Sequence, residues 1–211
     1  MYPLITLMLF CGFACLDLLG CASLSPKPDP SRFFTLTPLP QAVQTPPTNA
    51  SGGQISLGIG PVKFPGYLER DELVNRVSQN RFAIAENDRW AESLADNFTR
   101  VLVQNLAALL GTDRIILYPW LGNQKPAYRV EIEVLRFEPD ASNAQLFARW
   151  TVRDASDKKP PTLRESRLVR PLKGTSTEES VAALSEALGE LSQEIAAAVR
   201  AIESQTPPGS E

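Results

Sequence analysis

The sequence predicts an α+β fold, in which a mainly antiparallel sheet carries two long helices on one face of a single domain. Short segments of alternating apolar and polar residues occur in two groups. Each group is followed by a long segment whose apolar residues recur every three to four positions. Turn-forming Pro and Gly residues separate the short segments. Strands and helices in such blocks are typical of helices that cover one face of a sheet.

Residues 1–20 are predicted to be a lipoprotein signal peptide. The apolar run at 4–16 is shorter than the roughly 20 residues that a membrane-spanning helix needs, and it suits a signal peptide. Leu18-Leu19-Gly20-Cys21 resembles the lipobox of bacterial lipoproteins, in which a small residue precedes the lipid-accepting cysteine. We therefore predict cleavage before Cys21 and lipidation of Cys21, rather than a buried core segment with an incidental cysteine. Asp17 and the lack of Lys or Arg before the run leave open whether the start codon lies upstream.

The lipidated cysteine is expected to begin a tether at residues 21–31. Proline-rich linkers extend by about 3.1 Å per residue, so the domain is expected to stand clear of the membrane. No Asp follows Cys21 at the second position, which by resemblance to sorting in double-membrane bacteria favours the outer membrane, facing the periplasm. The net charge of −3 offers no basic field for nucleic acid. Partners are therefore expected to be proteins or apolar molecules.

Several strands are expected before the first helix, and the last two are expected to form a short hairpin. These strands are predicted at residues 32–37, 54–62, 73–77 and 81–85. Pro and Gly residues make 38–53 a loop and 63–71 a turn.

A long helix is expected from about Asp88 to Leu110. Asp88 is a suitable N-cap, and Gly111 is a suitable residue to end the helix. Several apolar side chains share one face at helical spacing, which indicates the side that packs on the sheet. They are Trp90, Leu94, Phe98, Val101 and Leu109.

The clearest strand signal is a hairpin between residues 128–137 and 145–153, with its turn near Asp140. Both segments alternate apolar with polar or charged residues. This pattern places Ile132 opposite Trp150 on the buried face and Glu133 opposite Arg149 on the wet face. A slip of one residue would put the Trp150 side chain in water. Two further strands are expected at 114–118 and 164–170.

A second long helix is expected from Thr177 to Ile202, with Ser176 and Glu179 spaced as a capping box. Its apolar stripe has heptad spacing and comprises Val181, Leu184, Leu188, Leu191, Ile195, Ala198 and Ile202. Packing on the protein's own sheet is the favoured interpretation, and contact with a second subunit is the alternative. The domain is then expected to cover 32–203, and 204–211 are expected to be a flexible tail.

No catalytic, metal or cofactor site is predicted. The chain has no histidine, which removes His-dependent catalysis and His-ligated metal. Ser156-Asp-Lys-Lys159 matches a serine–lysine motif but lies in a charged turn rather than at the start of a helix. Glu131 and Glu133 are interpreted as part of a wet sheet face rather than as an acid/base pair. Gly58-Ile-Gly60 lacks the pattern of a phosphate loop.

One loop is a candidate binding site. The segment 60–70 is rich in Pro and Gly and carries two aromatic side chains. Aromatic residues on loops often anchor a partner, and they also often cap the edge of a core, so both interpretations stay open. We take Phe64, Tyr67 and Arg70 as hypothetical partner-binding residues.

Short motifs distributed over about residues 32–202 together resemble the ABC-type transport auxiliary lipoprotein family. They are Phe33-Phe34-Thr-Leu36, Gly60-Pro-Val…Pro65-Gly-Tyr-Leu-Glu-Arg70, Leu73-Val-Asn-Arg76, Asn87-Asp-Arg-Trp-Ala91, Leu106…Leu110-Gly111, Tyr118-Pro-Trp120 and Arg136-Phe137-Glu138. The resemblance implies an outer-membrane lipoprotein of a membrane-integrity-associated transporter, with an MCE-domain tunnel protein and inner-membrane transporter subunits as partners. It also implies self-assembly into rings and no catalytic residues.

The sequence and the resemblance together predict a non-enzymatic subunit of an envelope transport system for lipids or other apolar molecules. Two alternatives stay open. One is a stand-alone structural lipoprotein that braces the envelope. The other is a periplasmic hydrolase that uses carboxylates alone.

Overall fold

The computed structural model describes residues 28–40, 55–122, 124–156 and 159–204. The predicted signal peptide, Cys21, most of the tether and most of the C-terminal tail lie outside the described residues. A compact unit begins at Ser31 and contains the helices and strands described below.

The fold is α+β, as predicted, but its strands form two mixed sheets. The strands are β1 Arg32–Phe34, β2 Leu57–Lys63, β3 Glu72–Ser78, β4 Arg81–Trp90, β5 Ile115–Leu117, β6 Tyr128–Pro139, β7 Asn143–Asp154 and β8 Thr162–Pro171. One sheet has the order β1-β4-β3 and the other the order β5-β2-β6-β7-β8. Strand β2 is parallel to both of its neighbours and β1 is parallel to β4, whereas the other pairs are antiparallel.

Both helices pack within the domain, and the longer one contacts the five-stranded sheet. Helix α1 spans Leu94–Leu110 and α2 spans Thr177–Ser204. Helix α2 contacts β6, β7 and β8, while α1 contacts α2 and β2. All seven residues of the predicted heptad stripe on α2 are buried within the chain. The interpretation of this stripe as packing on the protein's own sheet is therefore confirmed.

The predicted register of the hairpin β6–β7 is confirmed. Ile132 pairs with Trp150, and Glu133 pairs with Arg149. The Trp150 side chain is 1% exposed, and its indole Nε1 donates a hydrogen bond to Ser166 Oγ at 2.8 Å. The face on which each side chain lies is fixed, because a shift of one residue in the strand pairing would expose the Trp150 ring and leave its N–H without Ser166 as acceptor.

The predicted start of α1 at Asp88 is wrong. Strand β4 continues to Trp90 because it pairs with β1, and Asp88 accepts two hydrogen bonds from Arg32 at 2.7 and 2.8 Å. The helix is capped instead by Ser93, whose Oγ accepts the backbone N–H of Asp96 at 3.1 Å. Gly111 ends the helix in the left-handed conformation with φ 64°, as predicted.

Replacing Ser93 with Ala is expected to lower the free energy of unfolding by about 1 kcal/mol, because the cap acceptor is lost. Ser93→Thr keeps the hydroxyl and is the matched control. Chemical denaturation of both variants measures the difference. If the free energy of unfolding falls by the same amount in Ser93→Ala and Ser93→Thr, the hydroxyl has no capping role.

Strand β1 is shorter than the predicted strand at 32–37 because the backbone beyond Phe34 bonds to helix side chains. Three amide donors in this segment find buried or partly buried acceptors on α1 and α2. They are Leu36 N to Asn97 Oδ1 at 3.2 Å, Thr37 N to Ser185 Oγ at 3.1 Å and Leu39 N to Asn105 Oδ1 at 2.7 Å. The segment is therefore fixed between the two helices without belonging to a sheet.

Candidate partner-binding site

The candidate loop Phe64–Arg70 connects β2 to β3 and contains a short 3₁₀ turn at Gly66–Leu68. The backbone N–H of Leu68 donates to the carbonyl of Pro65 at 2.9 Å, and the Leu68 side chain is buried. The loop is thus anchored to the domain at its centre by an apolar residue, while Glu69 and Arg70 remain exposed.

The Phe64 ring packs against the core. It meets the buried Phe98 ring of α1 edge to face, with ring centroids 5.2 Å apart. Phe98 makes a similar contact with Phe137 of β6 at 5.3 Å. Phe64 therefore extends a chain of aromatic contacts from the core to the loop and remains partly exposed.

The Tyr67 ring is fixed on both its face and its hydroxyl. It stacks on the Phe82 ring of β4, with ring centroids 4.6 Å apart. Its hydroxyl donates a hydrogen bond to Glu138 Oε2 at 2.7 Å. Partial burial and this acidic partner raise the pKa of Tyr67 above its usual value, so the hydroxyl stays protonated and able to donate.

Glu138 is a buried carboxylate that joins three parts of the fold. Its side chain is 1% exposed and accepts from Tyr67 of the loop, from Arg76 Nε of β3 at 2.7 Å and from the backbone N–H of Phe137 at 3.0 Å. The guanidinium of Arg76 also lies over the Phe82 ring at 4.3 Å. We call Tyr67, Arg76 and Glu138 the Glu138 cluster. Sequence reasoning assigned no contact to Arg76 or Glu138, although both lie in the motifs that carry the family resemblance.

The contacts of Phe64, Tyr67 and Arg70 within the domain limit which parts of the candidate loop are accessible to a partner. Phe64 and Tyr67 already cap the edge of the domain's own core, so neither ring is a fully exposed anchor. Arg70 is exposed and forms an ion pair with Glu72, its Nε 3.1 Å from Oε2. The contact of this loop with a partner stays a prediction, and its accessible groups are Glu69, Arg70 and the part of each ring that remains exposed.

A cavity of about 330 Å³ lies between the loop and the first turn of α1. Its apolar walls are Phe64, Leu68, Leu94 and Ala95. Glu69, Arg70, Asp71 and Ser93 also line it. We call this cavity the loop–helix pocket.

The two carboxylates Glu131 and Glu133 lie on the sheet face opposite the helices and are exposed. Glu133 Oε2 is 3.7 Å from Arg149 Nη1, and a shallow cavity of about 270 Å³ lies beside them. This arrangement is the wet sheet face that the sequence predicted, in which surface ion pairs contribute little stability.

The serine–lysine motif does not bring its two reactive groups together. Ser156 Oγ donates to Asp154 Oδ2 at 2.5 Å, and Lys159 Nζ donates to the carbonyl of Ile202 at the end of α2, 2.7 Å away. Gly58 has a packing role, because a Cβ there would lie 2.8 Å from the Trp120 ring and 2.6 Å from Pro126. The glycine thus lets the Trp120 ring lie against β2.

Within the described residues, no group of three or more Cys, Asp or Glu side chains is arranged to hold a metal ion. The same part of the chain contains no helix with the length and apolar character to cross a membrane.

Comparison with known proteins gives one family and several similar folds. The model of a family described as "ABC-type transport auxiliary lipoprotein component" matches residues 34–196. An uncharacterized protein of known crystal structure has a TM-score of 0.64 and 18% identity, with 80% of this chain and 98% of that chain covered. A protein of Xanthomonas campestris assigned to DUF330 has a TM-score of 0.64 and 17% identity, with coverage of 83% and 100%. No curated protein matches the chain.

Proposed function

The chain belongs to the family of ABC-type transport auxiliary lipoprotein components, and from this premise we propose its role in the cell envelope. The protein is a non-enzymatic lipoprotein of the outer membrane, anchored through Cys21 and facing the periplasm. It binds the MCE-domain tunnel protein and the inner-membrane transporter subunits of a system that moves lipids or other apolar molecules. Copies of the protein assemble into a ring.

The family match over residues 34–196 is the observation that carries this proposal. The lipobox that ends at Cys21 and the proline-rich segment 21–31 support a domain that is tethered to a membrane by lipid. Because the second residue of the predicted mature chain is Ala22 and not Asp, lipoprotein sorting favours the outer membrane.

The proposal of a non-enzymatic role rests on chemistry as well as on the family. The chain lacks histidine, the usual general base at neutral pH. The candidate acids Glu131 and Glu133 are exposed to solvent, and Glu133 forms an ion pair with Arg149. Neither carboxylate lies in an enclosed apolar site of the kind that holds a catalytic acid. Ser156 and Lys159 bond to other groups.

Affinity purification of the tagged, lipidated protein from detergent-solubilised envelopes tests the proposed function. We expect MCE-domain and transporter subunits to co-purify with the wild-type protein. An unrelated outer-membrane lipoprotein with the same tag is the control. Recovery of peptidoglycan or of structural envelope proteins without any transporter subunit would favour the stand-alone structural role and overturn the proposal.

A further inference from the structure

We infer that the loop–helix pocket receives an apolar side chain of a partner protein. In the partner segment, this apolar residue lies next to a basic residue, Lys or Arg. This inference deepens the proposed function and rests on it. The partner is a protein segment of this chemistry, which binds between the candidate loop and the first turn of α1.

The shape and lining of the pocket select an apolar group. Its volume of about 330 Å³ is large enough for a branched or aromatic side chain. Phe64, Leu68, Leu94 and Ala95 form the walls, and Leu68 and Leu94 are themselves buried at 4% and 3% exposure. Because the buried Leu68 side chain and the 3₁₀ turn already hold the loop in place, an inserted side chain gains apolar contact at a small cost in ordering the loop.

The charges at the mouth of the pocket select a basic neighbour. Glu69 and Asp71 line the pocket and are exposed, whereas the charge of Arg70 is already matched by Glu72. A carboxylate pair beside an apolar cavity attracts a cation that emerges from the same partner segment.

The N-terminus of α1 does not reverse this preference. The positive end of the helix opens near the pocket and by itself would favour an anion. However, the Ser93 hydroxyl caps the N–H of Asp96, and Asp96 places a carboxylate in the first helical turn. The Asp96 carboxylate thus compensates the positive end of the α1 dipole. The negative charges of Glu69 and Asp71 then determine which partner charge is favoured at the pocket.

Two variants and a matched control test the inference in the full-length lipidated protein. Glu69→Lys/Asp71→Lys reverses the charge at the mouth, and Ala95→Leu fills the cavity. Glu86→Lys/Glu131→Lys makes the same change in net charge at exposed positions that do not line the pocket. We expect the first two variants to recover transporter subunits at least tenfold less well at an unchanged melting temperature, and the control to behave as wild type. Added salt should weaken capture by the wild type but not by Glu69→Lys/Asp71→Lys.

A photo-crosslinking residue at position 69 identifies what lies at the mouth. We expect the crosslinked partner peptide to contain an apolar residue within two positions of Lys or Arg. A crosslink to lipid, or to a segment without a basic residue, overturns the inference. If transporter subunits bind the pocket variants at wild-type strength, the docking surface is wrong and the proposed function stands. If the wild type recovers no transporter subunit, both fail.

Discussion

Glu138→Gln is expected to lower the free energy of unfolding by about 3 kcal/mol, because it leaves the guanidinium of Arg76 without its charged partner in a buried site. The substitution keeps the shape of the side chain but removes its charge. One amide oxygen must then replace the two carboxylate oxygens that accept from Tyr67 and Arg76. For a domain of this size, the loss corresponds to a fall in melting temperature of roughly 10 °C.

Glu133→Gln is a matched control, since it makes the same change on the same strand at an exposed ion pair with Arg149. This substitution should lower the free energy of unfolding by less than about 1 kcal/mol. Thermal denaturation of both variants gives the comparison. If Glu138→Gln is no more destabilised than Glu133→Gln, the Glu138 cluster does not hold the loop to the domain.

The double variant Glu138→Leu/Arg76→Met refines this expectation. Removing both charges avoids an unpaired buried ion. The double variant should therefore lose less stability than the sum of the losses in Glu138→Leu and Arg76→Met. A loss of stability in the double variant that is smaller than the sum of the two single losses would show that the two side chains stabilise each other. If the stability losses of the two single variants add up to that of the double variant, Glu138 and Arg76 each stabilise the fold through other contacts.

The contrast between these glutamates shows where sequence reasoning succeeds and where it fails. The alternation around Ile132 and Glu133 predicts the register because one face of the hairpin is buried along its length. Between Val134 and Arg136 the register shifts, so the same alternation does not continue to Glu138. Residues of β3 and of the candidate loop cover Glu138 there, and local pattern contains no information about contacts so distant in sequence.

The start of α1 illustrates the same limit. Asp88 has the properties of an N-cap, and only its pairing with Arg32, 56 positions earlier, makes it a strand residue. By contrast, the capping box of α2 is local, and Ser176 and Glu179 each bond to the other's backbone N–H as predicted. The pocket also escaped prediction, because its two walls come from a loop and a helix that only the fold brings together.

Cys21→Ser is expected to abolish incorporation of a fatty-acid probe and to leave an unprocessed precursor of higher mass. The hydroxyl of serine cannot replace the thiol that accepts the lipid, and lipid modification is expected to precede cleavage of the signal peptide. Each buried CH₂ of a lipid chain contributes about 0.8 kcal/mol, so loss of two or more chains removes the lipid anchor and leaves only the uncleaved signal peptide to attach the precursor to a membrane. Mass spectrometry and membrane fractionation measure both effects.

The other two cysteines provide the control for this experiment. Cys11 and Cys15 lie within the predicted signal peptide, so Cys11→Ser/Cys15→Ser should leave labelling and cleavage unchanged. Labelling that persists in Cys21→Ser would place the lipid elsewhere and remove the basis for a tether at 21–31. Because the folded domain begins after this tether, the Cys21→Ser protein should keep the melting temperature of the wild-type domain. Binding of transporter subunits by the folded Cys21→Ser protein would show that partner recognition does not depend on the lipid.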